Sequence, residues 1–186
     1  MAPKIETITK KIQSSFFKPR IGIRFNGDLK KFVSVKTGTT ERCAGILGQN
    51  LKDVTIINLI AAQNEDIDKY DLIIIGSPIR MGMIDKRVKD FISKNFELLK
   101  NKKVAYFICC GFNENWKQYY EQNFPKELLD KAITYDTLGG EMNLEKQKGF
   151  DKFIVKLVSK NIDRNKEIKI INENINKFIE RVKEIK

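Results

Sequence analysis

The sequence predicts an α/β fold in which an open, doubly wound sheet of five parallel strands is covered by helices on both faces. From residue 32 onward, apolar runs typical of strands alternate with segments whose apolar residues recur at helical spacing. The run from Leu72 to Ile75 is apolar on both faces, as expected of a central parallel strand. The 186 residues, 41% of them hydrophobic, suit one compact domain with a proper core.

Each element is assigned from its own pattern. The predicted strands are residues 32–36, 54–59, 71–76, 104–110 and 132–137. The predicted helices are residues 39–51, 84–99, 149–160 and 168–185, together with one helix, residues 116–124 and 126–131, that Pro125 interrupts. In such a sheet, ligands bind in the crevice beyond the carboxyl ends of the strands, so the loops after strands one, three and four are the candidates for a site.

Residues 1–28 differ from the rest. Ile5, Ile8, Ile12 and Phe16 recur at helical spacing among lysines, before Pro19 and a short alternating run. We therefore divide the chain into an extension of residues 1–28, helical or poorly ordered, and a domain of residues 29–186. The extension has three interpretations: an amphipathic helix at a membrane surface, a helix packed on the domain, or a mis-set start of translation.

The composition excludes several kinds of chemistry. The chain has no histidine, which removes the commonest general base and metal ligand and every Ser/His or Cys/His arrangement. Its three cysteines are odd in number and form no C-x-x-C, so neither a disulfide framework nor a zinc site is expected. We expect reduced thiols, no bound metal, and chemistry supplied by a cofactor.

The net charge of +11 favours an anionic partner. The lysines are scattered and matched by many Asp and Glu, and no arginine-rich or aromatic-interleaved motif occurs, so nucleic acid is not expected. No apolar run approaches the roughly 18 residues of a membrane-spanning helix, and no signal peptide is recognisable. These features predict a cytoplasmic protein that can also lie at a membrane surface.

The first loop consists of Lys36, Thr37, Gly38, Thr39 and Thr40 and runs into a helix. Unpaired amides and the positive end of the helix dipole then point at one small volume, and the threonine hydroxyls add donors. The spacing fits neither G-x-G-x-x-G nor G-x-x-x-x-G-K-[ST], which leaves the phosphate of a mononucleotide as the natural ligand. The alternative is a helix cap made by the threonine side chains.

The other two loops offer surfaces for a flat ring. After the third strand, two glycines and a proline predict an irregular backbone; its candidate residues are Ser77, Pro78, Ile79, Arg80, Met81 and Gly82. After the fourth strand, aromatics and amides are available for stacking and hydrogen bonding, although the aromatics would equally serve core packing; the candidates are Cys110, Gly111, Phe112, Asn113 and Asn115. Because all three loops border one crevice, together they predict a ligand site.

These residues resemble the flavodoxin-like FMN proteins, and within them the branch of quinone-dependent protoporphyrinogen oxidase. The likeness runs from about Lys31 to the end and is carried by the motifs at 36–41, 70–80 with Gly82, 107–112 and 139–141. The resemblance implies the strand order 2-1-3-4-5 and FMN as cofactor. It places the FMN phosphate at residues 37–40 and the isoalloxazine ring between the loops at 77–82 and 110–115.

The resemblance implies an FMN-dependent oxidoreductase whose substrate carries carboxylates and whose electron acceptor is a membrane quinone. Arg80 would contact an anion in this scheme, or else pair with a surface carboxylate. One alternative is a flavodoxin-type electron carrier with protein redox partners, although such carriers are usually acidic. Another is a flavin-free interaction protein, because Val35 stands where the family has a small hydroxyl residue and removes one phosphate contact.

Overall fold

A computed structural model describes residues 21–22, 31–35, 38–59, 67–111, 113–140 and 169–184. The described strands are β1 (Ile21–Gly22), β2 (Lys31–Val35), β3 (Val54–Asn58), β4 (Leu72–Arg80), β5 (Met83–Ile84), β6 (Lys103–Cys109) and β7 (Thr134–Thr137). The described helices are α1 (Thr39–Asn50), α2 (Lys86–Lys94), α3 (Phe96–Asn101), α4 (Trp116–Asn123), α5 (Lys126–Asp130) and α6 (Asn172–Lys183). The predicted helix at 149–160 lies outside the described residues.

The strands form one sheet in the order β1-β3-β2-β4-β6-β7, with β5 folded back on β4. Neighbouring strands from β3 to β7 along this path run parallel, whereas β1 pairs antiparallel with β3 through Ile21–Ile56 and Gly22–Thr55. The predicted α/β class with helices on both faces is confirmed. The prediction of only five strands was wrong, because β1, which comes from the predicted extension, and β5 add two antiparallel pairings.

The central strand β4 separates two apolar layers, as its uniformly apolar sequence predicts. Leu72 and Ile74 pack in one layer, which is covered by α1 and α6. Ile73 and Ile75 pack in the other, under α2 to α5. Since successive side chains of a strand point to opposite faces, four consecutive buried residues require helices on both sides of the sheet.

The segment after Ile75 corrects the sequence-based prediction of an irregular loop. Strand β4 continues to Arg80, with Ser77 opposite Ile108 and Pro78 opposite Cys109 of β6. Glycine is required at position 76 because the Phe107 ring lies where a Cβ would stand, its atoms 2.1 to 2.7 Å from that point. The chain then turns back into β5, so this candidate region is a β-hairpin.

Candidate functional site

The first candidate loop ends at the start of α1. Gly38 takes φ 69° and ψ −131°, and its carbonyl accepts the first intrahelical hydrogen bond, from the Arg42 amide at 3.0 Å. This backbone conformation is essentially restricted to glycine. Gly38 occupies the N-cap position and has no side chain with which to satisfy the first amides of the helix. Lys36 and Thr37 lie outside the described residues.

The most informative atom in this loop is the Thr40 hydroxyl. Thr40 is buried at the first turn of α1, and its Oγ1 has no nitrogen or oxygen hydrogen-bond partner; the neighbouring Cys109 thiol offers it only a weak acceptor. A buried hydroxyl without a partner costs free energy, on the order of 1 to 3 kcal/mol. A ligand that accepts a hydrogen bond at this helix N-terminus would remove that cost.

Two thiols lie beneath this turn. The Sγ atoms of Cys43, on α1, and Cys109, at the end of β6, are 3.8 Å apart and both side chains are buried. Hydrogen bonding with Cys43 and burial raise the pKa of the Cys109 thiol well above its usual value, although hydrogen bonding with the Thr40 hydroxyl opposes this rise. Cys109 is therefore protonated at neutral pH. The Cys109 thiol therefore adds no negative charge against an anion bound above it.

The second candidate region is the hairpin formed by β4 and β5. Ile79 pairs with Ile84 and Arg80 with Met83, which leaves a two-residue turn of Met81 and Gly82. Both turn residues have positive φ, 52° and 78°, the pattern of a type I′ turn. The Met81 side chain is 83% exposed at the tip.

Hydrogen bonds from the side chains of Asn123 and Ser77 hold this hairpin in place. The amide of Asn123, on α4, donates to the Gly82 carbonyl at 2.8 Å and accepts from the Ile84 amide at 3.1 Å. The Ser77 hydroxyl donates to the Pro78 carbonyl at 3.1 Å and accepts from the Asp85 amide at 3.0 Å. Ser77 is fully buried, so its hydroxyl serves the hairpin and the start of α2.

Arg80 lies at the exposed edge of the hairpin. Its guanidinium forms no ion pair within the described part of the chain, which does not support the interpretation of Arg80 as half of a surface ion pair. The neighbouring Arg87 differs, since its Nε donates to Asp85 at 3.0 Å. Arg80 is therefore a cation available at the rim of the crevice.

The third candidate loop is fixed to the end of β7. The Thr137 hydroxyl donates to Asn113 Oδ1 at 3.0 Å, and the Cys110 thiol lies 3.3 Å from Thr137 Oγ1. Burial raises the pKa of the Cys110 thiol, although the hydrogen bond with Thr137 opposes this rise. Gly111 and Asn115 lie beside this cluster in the chain, whereas Phe112 lies outside the described residues.

The structure places the three regions at one edge of the sheet. They lie at the carboxyl ends of β2, β4 and β6, which are adjacent and parallel, so these ends meet. The Cys43–Cys109 contact joins the helix after the first region to the strand before the third. Sequence reasoning missed Asn123 and Thr137, because the partners that define their roles, Gly82 and Asn113, lie 41 and 24 residues away in the chain.

Two kinds of feature are absent from the described residues. They contain no cluster of three or more metal-ligating Cys, Asp or Glu side chains. They also contain no helix with both the length and the apolar composition needed to cross a membrane.

Comparisons with known proteins agree with this architecture. A family model described as a flavodoxin domain matches residues 32–169, well over half of the chain. The chain belongs to this flavodoxin-domain family. A search of curated proteins gives no match.

Solved structures with similar folds include flavoproteins. The apo form of an NADH:FMN oxidoreductase, EMOB, is 11% identical, with a TM-score of 0.50 over 84% of this chain and 90% of that one. A Fusobacterium nucleatum flavodoxin bound to flavin mononucleotide is 15% identical, with a TM-score of 0.43, and 83% of this chain and 96% of that one are covered. A Lactobacillus acidophilus flavoprotein in complex with FMN is 17% identical, with a TM-score of 0.43 and coverages of 59% and 93%. At these identities the likeness concerns the fold.

Proposed function

We propose that the chain binds FMN across the three regions and acts as an FMN-dependent oxidoreductase. The observation that carries this proposal is the buried, unpartnered Thr40 hydroxyl at the N-terminus of α1. A phosphate is the ligand that best suits a helix N-terminus with an added hydroxyl donor. Membership of the flavodoxin-domain family supports FMN as the phosphate-bearing ligand.

Two groups of candidate residues would hold the two ends of the cofactor. The phosphate would be held by Lys36, Thr37, Gly38, Thr39 and Thr40. The ring would lie between the hairpin and the third loop, against Ser77, Pro78, Ile79, Arg80, Met81, Gly82, Cys110, Gly111, Phe112, Asn113 and Asn115. Bound FMN would supply electron transfer, and the protein would supply binding, orientation and electrostatics. The Cys109 and Cys110 thiols stay protonated, so neither places a negative charge beside the bound cofactor.

The finer proposal is an oxidase resembling quinone-dependent protoporphyrinogen oxidase. Arg80, exposed and without an ion pair among the described residues, would contact a substrate carboxylate. The net charge of +11 suits both an anionic substrate and a quinone at an anionic membrane surface. In this proposal residues 29–186 are the flavodoxin-like domain and residues 1–28 an extension. The second candidate is a flavodoxin-type carrier with protein redox partners, favoured by the family membership.

Flavin titration tests the binding proposal. Replacing Thr40 by Val keeps the side-chain shape and removes the hydroxyl, so FMN affinity should fall about 10- to 100-fold. Riboflavin, which lacks the phosphate, should bind both proteins equally. Thr55→Val on β3, away from the crevice, is the matched control and should bind FMN like the unchanged protein. If the unchanged protein does not bind FMN, the proposal is wrong.

A second experiment separates the oxidase from the carrier. FMN-loaded protein is mixed anaerobically with protoporphyrinogen and a quinone, and porphyrin fluorescence is followed against a protein-free control. The oxidase proposal expects faster porphyrin formation, and Arg80→Gln should slow it by raising the KM for the substrate. Formation at the control rate would exclude the oxidase and leave the carrier.

A further inference from the structure

The oxygen of the Asn113 side-chain amide is hydrogen-bonded, whereas its nitrogen is available to a ligand. Its Oδ1 is approached by the Thr137 hydroxyl at 3.0 Å and the Cys110 thiol at 3.4 Å. Within the part of the chain that the structure describes, its Nδ2 has no hydrogen-bond partner. Asn113 is only partly buried, at the start of the loop after β6. Its amide nitrogen is thus the group that a ligand in the crevice can use.

The Thr137 hydroxyl is both an acceptor and a donor. Its oxygen accepts from the Gly139 amide at 3.3 Å, and its hydrogen is donated to Asn113 Oδ1. Reversing the Asn113 amide would turn its NH2 group toward the two hydrogen-bearing groups and lose these bonds. Thr137, the closer of the two donors to Oδ1, therefore holds Asn113 with its Oδ1 toward Thr137 and its Nδ2 away from it.

We infer that Thr137 is a positioning residue that holds Asn113 as a hydrogen-bond donor toward the ring of the cofactor. This inference rests on the proposed FMN function. Thr137 is itself buried, so it acts through Asn113 and has no ligand contact of its own. The ring edge that Asn113 meets must carry an acceptor, and the carbonyl oxygens and unprotonated ring nitrogens of a flavin are such groups. Thr137 thereby selects for an acceptor-bearing edge.

Ring and phosphate contacts can be separated with two ligands. Asn113→Ala should lower the affinity for FMN and for riboflavin by the same factor, about 10-fold, because the lost donor faces the ring. Thr40→Val should lower only the affinity for FMN. Asn113→Asp replaces the donor by a carboxylate and should weaken both ligands at least as much as alanine does. Equal affinities of the Asn113 variants and the unchanged protein would overturn the inference.

A double-mutant cycle tests whether Thr137 acts through Asn113. Thr137→Val should weaken both ligands about 3- to 10-fold in the unchanged protein and have no effect in the Asn113→Ala background. Thr137→Ser, which keeps the hydroxyl, should restore binding, and Thr134→Val on the same strand should leave it unchanged. The flavin absorption bands should shift in the Thr137→Val complex, since the ring loses an oriented donor.

The outcomes separate the two proposals. Additive losses in the cycle, or unchanged binding by Thr137→Val, would overturn the positioning role and leave FMN binding intact. If Thr137→Val does not fold, as judged by far-UV circular dichroism, the serine variant and the two Asn113 variants carry the test. Absence of binding of both FMN and riboflavin to the unchanged protein would instead refute the proposed function itself.

Discussion

Asn123 holds the tip of the β4–β5 hairpin through the Gly82 carbonyl, to which its Nδ2 donates at 2.8 Å. Its Oδ1 also accepts from the buried Ile84 amide at 3.1 Å. Asn123→Leu should lower the free energy of unfolding by about 2 to 4 kcal/mol, because the Ile84 amide and the Gly82 carbonyl lose their partner. Urea denaturation measures this loss. Asn101→Leu, on an exposed helical asparagine, is the control and should change stability by about 0.5 kcal/mol or less.

Gly38, in the first region, and Gly45, inside α1, should respond to alanine in opposite directions. An added Cβ would meet no atom within 4 Å at Gly38 or at Gly45. Gly38 has φ 69° and ψ −131°, so Gly38→Ala should destabilise the protein by about 1 to 3 kcal/mol. Gly45 lies inside α1, where alanine should stabilise by about 0.5 to 1 kcal/mol. Equal effects in urea denaturation would contradict the strained start of α1.

Met81 occupies a turn position that suits asparagine better. Its φ of 52° is unfavourable for an ordinary side chain, whereas Asn-Gly is the preferred pair in a type I′ turn. Met81→Asn should therefore raise the free energy of unfolding by about 1 kcal/mol. Met83→Asn, two residues along in β5, should give no such gain. A lower melting temperature for Met81→Asn would count against the strained turn.

Asp136 should make stability depend on pH in the mildly acidic range. Burial raises the pKa of this half-buried carboxyl, although the Thr137 amide and Lys177 oppose the rise. The folded state then binds the proton more tightly than the unfolded state, so stability falls as pH rises from the unfolded pKa through the folded one. Asp136→Asn keeps the Oδ1 acceptor and should remove this slope. The gain in stability of the variant over the unchanged protein should therefore be largest at pH values above the folded pKa. Parallel curves of melting temperature against pH would contradict the assignment.

The strands and their burial were predictable because the apolar runs are long and local. Leu72 to Ile75 needs only its own composition to indicate a strand buried on both faces. The hairpin was not predicted, because Gly76, Ser77 and Pro78 usually interrupt a strand. Here the Ser77 hydroxyl accepts a hydrogen bond from the Asp85 amide, and Gly76 leaves room for the Phe107 ring. Both contacts depend on residues that the local sequence does not specify.

The candidate site was predictable in position and less so in detail. Threonines around Gly38 identify a helix N-terminus, but which hydroxyl is buried without a partner depends on the packing of α1 against the sheet. The roles of Asn123 and Thr137 depend on pairing across the fold. The single predicted helix at 84–99 is divided into α2 and α3 at Asn95, whose side chain bonds the Phe91 carbonyl at 2.8 Å.

The segment that leads into the last helix is joined by main-chain hydrogen bonds to the residues after β7, which are joined in turn to the loop after β6. The Ile171 amide donates to Leu138 at 3.0 Å, Gly140 donates to Lys169 at 3.2 Å, and Cys110 donates to Gly139 at 3.0 Å. Glycine is needed at position 140 because a Cβ there would lie 2.5 Å from the Cys110 carbonyl oxygen. The carboxyl-terminal helix thus supports the third loop. We expect that weakening the hydrogen bonds between the segment before this helix and the residues after β7 would lower ligand affinity without altering any residue of the crevice.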